Sequence, residues 1–328
     1  MIQTIRKAWG IPELRKKIIF TALILLIFRI GNAIPVPYVD TGLLNDYIKQ
    51  LSTTVLGLYN VMSGGAFAEA TVFALGVQPY INSSIIIQLL TIAIPALERL
   101  AREGGEEGKK KIQSITRYAT VAIALLQGFG YYMLMKNYGL LSVENPTVWH
   151  ALVIIISFVA GSSFVMWMGE QVTEFGVGNG ISIILFAGIL SRVPTMISQT
   201  IESVNRYSAI KAGTLTLESV KESMGYTDKQ AQAYLDSAVS PVGVVLLVVG
   251  ILALIVFIVF INDAERRIPV QYAKRQVGRK MYGGQSSNLP MKVNMSGVLP
   301  IIFAQSIASL PATIAAFMKA PEEGTFAY

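Results

Sequence analysis

Few side chains in this sequence are placed to do acid–base or covalent chemistry. The one histidine, His150, opens an apolar run, and none of the usual companion ligands stands beside it. A metal centre needs three or four converging donors and a nucleophile needs an adjacent base, so His150 supports neither. Cysteine is absent, which excludes disulfides and thiolate sites. Val177-Gly178-Asn179-Gly180 is glycine-rich, but it lacks the preceding strand and the lysine of a phosphate loop and reads as a tight turn. With no Ser/His or Asp pair in the apolar runs, an enzyme is not expected. What remains is the chemistry of amides in apolar surroundings and of clustered cations. Gln88, Gln127, Gln305 and Ser306 lie inside apolar runs. Such groups bond across helices with about 0.6–2 kcal/mol each, as glue in a static bundle or as a seam weak enough to open.

The elements that must position these residues follow from composition. Of 328 residues, 53% are hydrophobic and 14% charged, against roughly 25% charged in a soluble domain. A surface facing lipid tolerates few ions, so the chain is read as a transmembrane helix bundle. Seven runs approach the length of about 20 residues that crosses a hydrocarbon core: Ile18–Pro37, Val72–Ala96, Tyr118–Met135, Val148–Met168, Ile181–Ile201, Pro241–Ile261 and Val298–Phe317, the last interrupted by Pro300 and Pro311. The first run is long, follows Ile2–Lys17 and lacks a small-residue cleavage pattern, so no cleavable leader is expected.

Orientation follows the cations. They gather before the first run (Arg6, Lys7, Arg15, Lys16, Lys17), after the second (Arg99, Arg102, Lys109, Lys110, Lys111, Arg117) and after the sixth (Arg266, Arg267, Lys274, Arg275, Arg279, Lys280, Lys292). These segments alternate onto one side, which is then cytoplasmic. That puts the N-terminus inside and the C-terminus, as given, outside. The 266–292 loop carries more charge than orientation needs. Its Gly283-Gly284 reads as the tip of a protruding hairpin, facing an anionic partner or resting against lipid headgroups.

Two connections are more than joints. Val55–Phe73 is moderately apolar but too short to cross, and fits either a re-entrant piece buried in protein or an amphipathic helix on the outer surface. Ser63-Gly64-Gly65 breaks it. Glu202–Ser240 is polar, with a capping-type Thr227-Asp228, and reads as a small external helical subdomain.

Ordered motifs along the chain carry a family likeness. They are Arg29-Ile30-Gly31-Asn32-Ala33-Ile34-Pro35-Val36-Pro37, Ser63-Gly64-Gly65-Ala66, Val77-Gln78-Pro79-Tyr80-Ile81 and Ser84-Ile85-Ile86-Ile87-Gln88-Leu89-Leu90. Trp167-Met168-Gly169-Glu170-Gln171 and Gly176-Val177-Gly178-Asn179-Gly180-Ile181-Ser182 follow. Tyr272-Ala273-Lys274-Arg275, Leu289-Pro290-Met291-Lys292-Val293-Asn294 and Pro311-Ala312-Thr313-Ile314 complete the series. In this order they resemble the SecY family, the central subunit of the bacterial protein-conducting channel. Members have ten spans in two inverted halves, and this sequence stops after the seventh, so it reads as an N-terminal portion. On that pattern residues 1–201 form the first half, 202–240 an external segment, and 241–328 part of the second half, with the basic cytoplasmic loop at 262–294.

The resemblance implies a channel in the bacterial cytoplasmic membrane that passes unfolded preproteins across and membrane segments sideways into lipid. It implies SecE and SecG as partner subunits, and the SecA motor or the ribosome at the cytoplasmic face. A pore ring is implied at Val77, Ile81, Ile181, Leu185 and Ile302, a ring of aliphatic side chains that dewets when idle. The i,i+4 spacing of Val77/Ile81 and of Ile181/Leu185 puts each pair on one helix face. The plug is implied near 55–71, with Tyr59, Asn60, Met62, Ser63, Gly64 and Gly65. Gln88, Gln127, Gln305 and Ser306 are implied at the lateral gate, and Arg266, Arg267, Lys274, Arg275, Arg279 and Lys280 at the docking loop. No cofactor is implied. Without the resemblance, a non-conducting subunit or a secondary transporter also fits, although the spans lack the mid-membrane ionisable groups that transporters use to couple ions.

Overall fold

The computed structural model describes residues 9–50, 55–224, 227–270, 275–277, 280–282, 287–294 and 304. The chain divides into two compact units, Met1–Val193 with Gln305–Tyr328 and Pro194–Ala304.

The first unit is built of α1 (Pro12–Gly31), α2 (Thr41–Gln50), α3 (Val55–Met62), α4 (Gln78–Ala93), α5 (Pro95–Arg102), α6 (Gly105–Asn137), α7 (Val148–Phe175) and α8 (Gly180–Leu190). Pro12, Pro79 and Pro95 each sit in the first turn of their helices, where a missing N–H costs nothing. Helix α6 buries Thr116, Thr120, Ala124 and Gly128, a stripe of small side chains at every fourth residue. That stripe lets neighbouring backbones approach closely, which is how helices associate where lipid removes the usual hydrophobic drive. Ser83 of α4 donates to the Thr116 carbonyl at 3.0 Å, and Thr120 donates to Ser83 at 3.1 Å, so α4 and α6 are joined by a buried hydroxyl network. Helix α7 buries Ile154, Phe158, Gly161, Val165, Met168 and Val172 along one stripe. Arg117 of α6 pairs with Glu170 of α7 at 2.9 Å, and Gln113 donates to the same carboxylate.

Helix boundaries differ from the sequence reading where proline and glycine intervene. The second run was expected to be helical from Val72, but α4 starts at Gln78 and residues 63–77 form turns. Gly76 has φ +53, which ends that turn series just before Pro79 opens the helix. The same run bends by 101° at Ile94, because Pro95 starts a new helix there. The first run stops at Gly31 instead of Pro37, and Pro35 instead bridges to Thr71. The fifth run is broken by two residues, with α8 ending at Leu190 and α9 starting at Val193.

Among the described residues, four helical stretches are long and apolar enough to cross a membrane: 105–137, 148–175, 180–211 and 241–263. The bent pair α4–α5 makes a fifth if counted as one span. Helix α1 has 20 residues but carries Glu13, Arg15, Lys16, Lys17 and Arg29, so its continuous apolar stretch is shorter than in those helices. The expected seventh span, Val298–Phe317, lies outside the described residues apart from Ala304.

The second unit holds α9 (Val193–Lys211), α10 (Leu217–Met224), α11 (Asp228–Asp236) and α12 (Pro241–Asp263), followed by two antiparallel ribbons. Arg206 fastens α9 to the end of α11. Its guanidinium sits 3.7 Å from the Tyr234 ring centroid and donates to the Tyr234 carbonyl at 3.3 Å. Ser240 caps α12 by accepting from Gly243 N–H at 3.1 Å. None of the 23 residues of α12 is buried in protein, as befits a helix apolar on every side.

The basic loop folds as β1 (Glu265–Val270) paired with β4 (Ser287–Lys292), and β2 (Arg275–Val277) paired with β3 (Lys280–Tyr282). Val277 pairs with Lys280, so the chain reverses between those two residues; Gly283-Gly284, expected as the hairpin tip, lies outside the described residues. The ribbon closes onto α12 through Val293 N–H to the Ala264 carbonyl at 3.0 Å and Asn294 to Asn262 at 2.8 Å.

At Gly161 a Cβ would lie 1.9 Å from the Val72 carbonyl oxygen, whereas at Gly250 of α12 nothing lies within 4 Å. Gly161→Leu is expected to cost about 1–3 kcal/mol or more of unfolding free energy. Gly250→Leu should leave it unchanged. Detergent-phase thermal or denaturant unfolding of both variants checks this.

Candidate functional site

The site begins with a stretch of chain that has no regular structure and yet is buried. Ala66, Phe67, Ala68, Ala70, Thr71, Phe73, Ala74, Leu75 and Val77 are each less than a tenth exposed. Irregular backbone at such depth must find hydrogen-bond partners within the protein. It does so from several directions. Val36 N–H donates to the Ala70 carbonyl and Val72 N–H to the Ile34 carbonyl, both at 2.9 Å. Asn60 Oδ1 accepts from Ala68 N–H at 3.0 Å, and Ser63 Oγ accepts from Phe67 N–H at 3.1 Å. The Tyr131 hydroxyl of α6 donates to the Phe67 carbonyl, with the two rings stacked 4.3 Å apart. Ser162 of α7 donates to the Gly76 carbonyl at 3.2 Å.

This framework fixes Val77 as the residue preceding α4 and Ile81 one turn along it, both buried. Ile181 and Leu185 lie one turn apart near the start of α8 and are half-buried. Their helix is oriented by Asn179, whose Oδ1 accepts from Ser182 N–H at 3.1 Å, and by Thr173, whose Oγ1 accepts from Gly180 N–H at 2.9 Å. A Cβ on Gly169 of α7 would lie 2.4 Å from Ile181 Cδ1, so Ile181 rests in the gap that Gly169 leaves. Ile302 lies outside the described residues, so four of the five ring positions have described locations.

The residues assigned to a plug form one connected piece. Helix α3 ends at Met62, and Gly64 and Gly65 at φ +71 and +96 turn the chain back, with Gly65 N–H donating to the Asn60 carbonyl. Tyr59 packs near Phe67, with ring centroids 6.2 Å apart. Met62 accepts from the Gln78 amide at 3.4 Å, which ties the end of α3 to the first turn of α4, beside Val77. The same end touches α8, because a Cβ on Gly188 would come within 3.0 Å of the Met62 carbonyl oxygen. Arg192 Nη1 donates to the Asn60 carbonyl at 3.3 Å. The α3 end therefore contacts both helices that carry the described ring positions. Sequence reasoning missed Tyr131, Gly188 and Arg192. A tyrosine, a glycine and an arginine inside or at the end of apolar runs were the available signals, but no spacing rule links them to residues more than 60 positions away.

The gate amides divide. Gln88 is exposed on α4, while Gln127 is half-buried on α6, with Oε1 shielded and without a partner among the described residues. Gln305 and Ser306 lie outside the described residues. In the basic loop, Arg266 and Arg267 are exposed on β1, Arg275 lies in β2 and Lys280 in β3, whereas Lys274 and Arg279 lie outside the described residues. His150 caps α7, its Nδ1 accepting from Thr147 N–H at 3.1 Å. No cluster of three or more metal-capable side chains occurs among the described residues.

Residues 71–328 match the SecY family model. The protein translocase subunit SecY of Aquifex aeolicus is 38% identical over 325 residues, covering 98% of this chain and 69% of that protein. The chain belongs to the SecY family. The SecY of Escherichia coli K12 is 41% identical over 314 residues, which is 94% of this chain and 63% of that protein. For the SecY of Buchnera aphidicola the identity is also 41%, covering 94% and 78%. The chain thus spans 63–78% of the length of these SecY relatives. A solved structure described as that of a protein conducting channel aligns with a TM-score of 0.54 at 16% identity, covering 95% of this chain and 62% of that one. Sec61 in a canine ribosome–channel complex from the endoplasmic reticulum aligns at 0.52, with 16% identity and coverages of 95% and 63%. These two likenesses show a shared fold. A multi-pass helical membrane protein of the SecY family accounts for both the buried irregular segment and the apolar helices around it.

Tyr131→Phe removes the hydroxyl that serves the buried Phe67 carbonyl while keeping the ring stack. It is expected to lower stability by about 1–3 kcal/mol. Equal melting of the variant and the parent in detergent would remove this bond from the account.

Proposed function

We propose that this SecY-family chain provides the central walls of a protein translocation channel in the bacterial cytoplasmic membrane. The channel passes unfolded preproteins across and releases membrane segments sideways into lipid. The observation that carries this reading is the junction at Met62, where the end of α3 contacts α4 beside Val77 and α8 beyond Leu185. A channel for an extended chain needs an aliphatic waist that dewets when empty and yields under a passing polypeptide. Val77, Ile81, Ile181 and Leu185, completed by Ile302, supply that waist, and α3 with Ser63, Gly64 and Gly65 is the plug closing it from the outer side. Gln88 and Gln127 on one side and Gln305 with Ser306 on the other form the lateral seam, whose weak amide bonds open at low cost.

SecE and SecG complete the assembly. SecA or the ribosome docks at the cytoplasmic ribbon, where Arg266, Arg267, Lys274, Arg275, Arg279 and Lys280 meet an anionic partner. The N-terminus is cytoplasmic, since the basic loops at 99–117 and 266–292 share its side. The channel does no covalent chemistry; work comes from the docked partner.

Glycine at Val77, Ile81, Ile181 or Ile302 is expected to raise the idle ion conductance of the assembled channel in planar bilayers. The same conductance in all four variants would remove the waist assignment. Reversing Lys274 and Arg275 to Glu should weaken salt-sensitive ribosome or SecA binding more than reversing Lys109 and Lys110. Equal losses in co-sedimentation would favour a contact with lipid headgroups for both clusters.

A further inference from the structure

Helix α3 carries no charged residue of its own, yet a guanidinium is brought to its C-terminal end. Arg192 stands in the two-residue break after α8, and its Nη1 donates to the Asn60 carbonyl, which also accepts from Ser63 Oγ at 3.2 Å and from Gly65 N–H at 2.9 Å. Helix C-termini carry partial negative charge and exposed carbonyls, so a cation there is held by both dipole and hydrogen bond. Immediately alongside, two glycines from different elements cross. A Cβ on Gly64 would lie 2.8 Å from the Gly188 carbonyl oxygen, and one on Gly188 would lie 3.0 Å from the Met62 carbonyl oxygen. The contact is mainly backbone against backbone, with the short Ser191 hydroxyl also within 3.0 Å of a Cβ on Gly64. Gly188 also follows Leu185 by three residues, on the same face of α8.

We propose that Arg192 is the positioning residue that latches α3 in its closing seat, and that α8 works the latch. A displacement of α8 that widens the waist at Ile181 and Leu185 carries Gly188 and Arg192 with it. It breaks the hold on Asn60 and frees the segment at Gly64. Waist opening and plug release are then one motion transmitted across a single crossing point. The assignment rests on the plug reading given above, and it adds the residue and the helix that control it.

The chain's lack of cysteine makes the test clean. Val61→Cys places a single thiol on α3, and its rate of modification by a membrane-permeant maleimide is measured in native membrane vesicles, idle and with a stalled preprotein. Adding Arg192→Ala is expected to speed idle labelling about tenfold, as loss of a charged hydrogen bond allows. Arg192→Lys should restore slow labelling, and Gly188→Val, which pushes on the Met62 carbonyl by a different route, should also speed it. A merely structural role would lower the melting temperature without changing labelling of the folded protein. Idle labelling unchanged by both Arg192→Ala and Gly188→Val overturns the latch. If the stalled preprotein does not speed labelling of the Val61→Cys parent, the plug reading itself fails, and the latch falls with it.

Discussion

Everything in the first unit depends on keeping an irregular stretch of backbone, residues 66–77, away from both lipid and water. Each peptide group there would cost several kcal/mol if left unpaired in an apolar medium. The partners are spread over the unit: Ile34 and Val36 after α1, Asn60 in α3, Ser63 after it, Tyr131 in α6 and Ser162 in α7. Those elements cannot separate without exposing the segment. The glycines follow from the same requirement, since Gly31 gives way to the Phe73 ring and Gly161 to the Val72 carbonyl. The fold thereby places the short helix α3 and the start of α4 within a rigid wall.

Rigidity is not uniform along that wall. The α4–α6 junction is closed by Ser83, Thr116 and Thr120, all buried and mutually bonded, and α6 is tied to α7 by Arg117 and Glu170. These three helices behave as one block. Toward α4 and α8, by contrast, the contacts of the α3 end include the Arg192 guanidinium, the Met62 thioether and a glycine crossing, while its Asn60 and Ser63 bond within the 60–68 segment itself. Weak, few and local, these contacts are the ones that can break while the block persists.

How much of this could be read from the residues depends on whether the signal was local. The apolar runs of α6, α7 and α12 announced themselves, because lipid demands continuous apolarity. The turn at Val177-Gly178-Asn179-Gly180 was legible because its residues are neighbours in sequence, whereas the cap that Asn179 supplies to α8 was not read from it. The start of α4 was misplaced: residues 72–77 are as apolar as a helix, and hydropathy does not separate a buried turn from a span. Only Gly76 and Pro79 marked the boundary, and both are tolerated in transmembrane helices. The ribbon's reversal between Val277 and Lys280 is set by the pairing of β2 with β3, which no residue pattern announced. The family motifs carried Val77, Ile81, Ile181 and Leu185. Tyr131 and Arg192 bond to carbonyls 64 and 132 residues away, partnerships that no linear pattern encodes.

The late start of α4 has an electrostatic corollary. With 16 residues it rises only about 24 Å at roughly 1.5 Å per residue, short of a hydrocarbon core about 30 Å thick. One end must therefore open inside the bilayer, and the basic residues of α5 put the other end at the headgroups. The inner end is the amino terminus, where Gln78 N–H turns back to the Leu75 carbonyl and Pro79 has no amide hydrogen, and its share of positive macrodipole lies next to Val77. In surroundings of low permittivity that half-charge is poorly screened. A cation approaching that terminus meets a repulsive field from the peptide groups themselves, one set by main-chain geometry and not by the side chains around it.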